Sequence, residues 1–121
     1  MMNKTTVIYP FNLLDERLQN LIIKFGFSEP TEIQKLSVES ILKGEHVLLI
    51  SPTGSGKTEA AIFPLLHKIL NEKEDIGIKI LYINPLKALT KDLTERLQNY
   101  AYLLNLKVRP LYGDVDKGFK K

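Results

Sequence analysis

The chain has 121 residues, a formal net charge of +3 and no cysteine, which excludes disulfide bridges and thiolate metal sites and makes an intracellular setting the expectation. Its length suits one small α/β unit with a single core. No apolar run approaches the roughly 20 residues of a membrane span, residues 1–6 lack the apolar stretch of a signal peptide, and the mild basic excess fits nucleic acid and plain solubility equally.

In chain order, Leu14, Leu18, Leu21, Ile22 and Phe25 recur at helical spacing. They predict a first helix over 13–25, with Asn12 as its N-cap and Gly26 as its stop. A turn through Pro30 leads to a second helix over 31–42, closed by Lys43-Gly44. The run Val47-Leu48-Leu49-Ile50 predicts a first strand over 46–50. A third helix runs to Leu70 and turns Ala60, Ala61, Ile62, Leu65, Leu66 and Ile69 largely inward. A second strand over 78–83 is apolar at nearly every position, as in a parallel strand covered on both faces. Asn84-Pro85 then opens a fourth helix, striped by Leu89, Leu93, Leu97, Tyr100 and Leu104, and 107–112 predict a third strand. The order α-α-β-α-β-α-β implies a parallel sheet joined by right-handed crossovers.

The chemistry concentrates between the first strand and the third helix. Residues 51–58 read Ser-Pro-Thr-Gly-Ser-Gly-Lys-Thr. Strand, Gly-rich turn and helix in that order form a loop whose backbone N–H groups wrap phosphates. Gly54 and Gly56 allow close approach of the backbone, Lys57 reaches the β/γ-phosphates, and Thr58 offers its hydroxyl to Mg²⁺. The first glycine of the G-x-x-x-x-G-K-[ST] pattern is replaced by Ser51, and Pro52 has no N–H. The cradle must therefore start at Thr53. A plain Gly-Ser turn would require neither Lys57-Thr58 nor the flanking elements.

Three further clusters fall at strand ends or helix starts, the edge where ligands bind an open parallel sheet. Gln34 follows Pro30-Thr31-Glu32-Ile33. Its amide can read the N6/N7 edge of adenine, or it can close a Thr31-x-x-Gln34 capping box. On spacing alone the cap is the favoured account. Pro85, Leu86 and Lys87 open a helix whose free amides suit the phosphates of a single strand, although a capped helix with a solvated lysine explains them too. Gly113-Asp114 after Tyr112 is a lone glycine turn. His46 and His67 have no partner at metal-ligand spacing and read as turn or helix-surface residues.

Together these segments resemble the first part of the first RecA-like domain of superfamily 2 helicases of the DEAD/DEAH type. Gly26-Phe27 through Gln34 looks like the Q motif, Thr53-Gly54-Ser55-Gly56-Lys57-Thr58-Glu59 like motif I, and Asn84 to Leu89 like motif Ia. The Pro-Leu-Lys-Ala-Leu form of the last is closer to the large-helicase-related branch. The resemblance implies a P-loop NTPase fold, RecA-like and incomplete in these 121 residues. ATP would bind on Phe11, Gln34 and residues 53–59, with Mg²⁺ at Thr58. Lys57 and Thr58 would serve catalysis, and single-stranded DNA or RNA would lie against Pro85, Leu86, Lys87, Gly113 and Asp114. It also implies partners in the remainder of domain 1 and a second RecA-like lobe, because no Asp-Glu-x-Asp or Asp-Glu-x-His box occurs in the sequence. Phosphoryl transfer requires such groups positioned together. Two other readings are a small P-loop phosphotransferase, for which Asp114 is the one candidate acid, and a non-catalytic nucleotide-binding module.

Overall fold

The computed structural model describes residues 6–73, 77–84 and 87–110, with the backbone alone over 87–90. The chain divides into two compact units, Met1–Ile80 and Leu81–Lys121.

The first unit is a helical assembly. A 3-10 turn, Phe11–Leu13, precedes α1 (Glu16–Lys24), α2 (Glu32–Leu42) and α3 (Lys57–Leu70). The first helix starts three residues later than Asn12 would place it, because Asp15 is the cap: its carboxylate accepts the Arg17 N–H at 2.9 Å. A carboxylate two residues before an orphan N–H is the stronger N-terminal partner, and it also favours the positive end of the helix. Both α1 and α2 end as glycine stops. Gly26 at φ +80 and Gly44 at φ +84 sit in the left-handed region. Phe27 N–H returns to the Ile22 carbonyl and Glu45 N–H to that of Ser40, which satisfies the last-turn acceptors.

The core of this unit forms where the apolar stripes meet. Phe11, Leu18, Ile22, Val38, Ala60 and Phe63 are all fully buried. Phe63 on α3 sits edge-on to Phe11 at 5.9 Å between ring centroids, and Phe27 lies 6.1 Å from it on a tilted plane. Aromatic pairs at such edge geometry add to what their buried area contributes. Pro64 is also fully buried inside α3. Ile62 and Leu66 face inward as predicted, whereas Ala61, Leu65 and Ile69 are half-buried.

The predicted sheet is not realised among the described residues. Residues 45–50 and 77–84 carry no regular structure, nor do 107–110, while 111 and 112 lie outside the described residues. A parallel strand is held by hydrogen bonds to a neighbour about 4.8 Å away and by cover on both faces. Neither is supplied here. Leu48 is 82% exposed, Ile78 is 86% exposed, and Ile50 lies equally open. The apolar pattern reported a demand for burial, which is separate from the presence of a pairing partner.

The second unit contains α4 (Lys87–Leu103). Leu93, Tyr100 and Leu104 of the predicted stripe are buried, with Ala101 beside them, and Leu97 is half-buried. Asn105 at φ +62 takes the left-handed position after the helix, and Leu106 N–H returns to the Ala101 carbonyl at 2.8 Å. Asparagine tolerates that conformation better than other non-glycine residues.

Candidate nucleotide site

The loop between residue 50 and α3 adopts a shape that its glycines make accessible. Gly54 lies at φ +82 and Gly56, the residue before α3, at φ +85. At Gly54 a Cβ would meet nothing within 4 Å, so glycine is needed there for conformation alone. Gly56 is constrained twice. A Cβ at that position would lie 2.5 Å from Gln34 Nε2 and 3.2 Å from Thr31 Oγ1. Lys57 is the first residue of α3, so the loop backbone feeds into the positive end of a helix dipole.

Lys57 does not extend into solvent. Its Nζ donates to the Ser51 carbonyl at 2.8 Å, across the span of the loop. The Ser51 and Ser55 hydroxyls are hydrogen-bonded to each other. Residue 51, where the pattern has glycine, thus takes part in the loop through both its side chain and its carbonyl.

Gln34 satisfies the favoured cap reading and extends it. Its Oε1 accepts the Thr31 N–H at 2.9 Å, and its Nε2 donates to the Gly56 carbonyl at 3.1 Å. Gln34 as a whole is only 3% exposed. One side chain therefore fastens the start of α2 to the last residue before α3. These two bonds use one of its two N–H groups and one of its two oxygen lone pairs.

The remaining site residues divide by position. Thr53 is exposed, Ser55 and Thr58 are half-buried, and Glu59 is buried in the first turn of α3. Phe11 is fully buried against Phe63 and offers no ring face to a base as placed. Of the expected nucleic-acid contacts, Lys87 is the first residue of α4. Pro85, Leu86, Gly113 and Asp114 lie outside the described residues.

At the far end of α3 a polar joint escaped the sequence reading. Asp15 N–H donates to His67 Nδ1 at 2.8 Å, so His67 is a structural acceptor and not a free surface residue. Arg17 holds both oxygens of Asp15 at 2.9 Å and reaches the Leu70 carbonyl at 3.2 Å. Those Arg17 bonds hold the Asp15 carboxyl down at about 2 against the upward push of burial. The available signal was Asp15-x-Arg17 before an apolar stripe, a cap with its own counter-ion.

No group of three metal-ligating side chains occurs among the described residues, and no described helix is long and apolar enough to cross a membrane. Magnesium at a phosphate loop is held by one hydroxyl and by the phosphates themselves. Thr58, second in α3 behind an open Gly54 turn, fits that role.

Comparison with known proteins adds independent findings. Residues 31–120 match the DEAD/DEAH box helicase family. The chain is 42% identical over 100 residues to the ATP-dependent RNA helicase ROK1 of Kluyveromyces lactis, covering 80% of this chain and 17% of that protein. It is 38% identical over 99 residues to the DEAD-box ATP-dependent RNA helicase CshC of Bacillus cereus, covering 82% and 25% respectively. The chain thus spans about a quarter or less of these relatives. The solved structure of the RNA helicase Prp28 from Chaetomium thermophilum bound to ADP is similar at a TM-score of 0.79 and 25% identity, over 99% of this chain and 30% of that one. That likeness supports a P-loop type of fold even though the described residues carry no strand. The relatives are DEAD-box RNA helicases, so the nearer affinity to the large-helicase-related branch is not confirmed.

Proposed function

The chain belongs to the DEAD/DEAH box helicase family, and from that premise we propose that it is the ATP-binding front of an ATP-dependent RNA helicase. The observation that carries the reading is the joint at Gly56. A glycine-shaped loop enters α3 with Lys57 at its first position, and Gln34 is bonded to the loop carbonyl beside it. Residues 53–58 would hold the triphosphate, with Lys57 against its β/γ end and Thr58 on Mg²⁺. The metal would neutralise charge on the transferring phosphoryl group.

Specificity for adenine would rest on the N–H and lone pair of Gln34 that the cap and the Gly56 bond do not use. Single-stranded RNA would track Pro85, Leu86 and Lys87 and the Gly113-Asp114 turn. The names of the relatives favour RNA over DNA. Neither the phosphotransferase nor the non-catalytic module has support among them. Turnover would require the acidic box and second lobe that the resemblance implies, which these 121 residues do not contain.

Titrating ATP and GTP into wild type and Gln34→Ala tests the adenine reading, with melting curves alongside because the variant also loses a helix cap. The expected result is tighter binding of ATP than GTP in wild type, with the preference abolished in the variant. Equal affinities for both nucleotides in both proteins would reduce Gln34 to a cap and loop fastener.

A further inference from the structure

We draw no further inference here: the strongest candidate, the exposed apolar surface of Leu48, Ile50 and Ile78 in the first unit, carries nothing because nothing in the structure shows what covers it.

Discussion

The helices of the first unit and the apolar segments around residues 48 and 78 were both legible as hydrophobic runs, yet only the helices are packed. Phe11, Ile22, Val38 and Phe63 are fully buried, while Leu48 and Ile78 are more than three-quarters exposed. A helix satisfies its own backbone and needs cover on one face only. A parallel strand needs a neighbour for its hydrogen bonds and a layer on each side. The difference teaches that apolar residues in this chain stabilise it where a partner element is present, and that hydrophobicity alone is no measure of their contribution.

The largest expected effect follows directly. Phe63→Ala removes the ring that meets both Phe11 and Phe27 and should destabilise the first unit by about 3–5 kcal/mol. Leu48→Ala, equally apolar in sequence, should stay within about 0.5 kcal/mol. Urea denaturation of both variants gives the comparison. A Leu48 variant as damaging as the Phe63 variant would show that residues 45–50 are packed in solution.

Gly56→Ala should come next. It forces an L side chain to φ +85, costing about 1–2 kcal/mol for the conformation alone, and it displaces the Gln34 amide that a Cβ would approach to 2.5 Å. Denaturation should report a loss of about 2 kcal/mol or more. Gly54→Ala, with open space at the same backbone conformation, should lose less. Equal losses would mean that the Gln34 contact contributes nothing.

These two cases also mark what the sequence made readable. Helix extents and the Gly26 and Gly44 stops could be read because their causes are local: spacing, caps and left-handed glycines. The turn into α3 was readable because Gly54 and Gly56 take left-handed positions that the glycine pattern marks. The Asp15 cap was missed in favour of Asn12, since both precede the same apolar stripe and only the first carries Arg17 two residues on. The bonds from Gln34 to Gly56 and from Asp15 to His67 join residues 22 and 52 positions apart. No local pattern encodes contacts of that kind. Phe11 was assigned to the nucleotide by resemblance; its burial edge-on to Phe63 is a tertiary contact that no local pattern encodes.

A smaller effect concerns acid. The Asp15 carboxyl sits at about 2 in the fold against an ordinary 3.8. A depressed folded value adds stability that is fully present above the unfolded value and is lost as pH falls through the folded one. The difference in stability between wild type and Asp15→Asn should therefore be constant at neutral pH, shrink below pH 3.8 and flatten near about 2. Melting both proteins across that range measures it. A difference that does not change with pH would mean that the Arg17 pairing is broken in solution.

The central claim is that the loop entering α3 is a nucleoside triphosphate site with Lys57 at its heart. Calorimetric titration of ATP with Mg²⁺ into wild type and Lys57→Ala tests it most directly. The account predicts measurable binding by wild type and its loss in a Lys57→Ala protein that melts like wild type. Undiminished binding by the folded variant, or none by wild type, would contradict it.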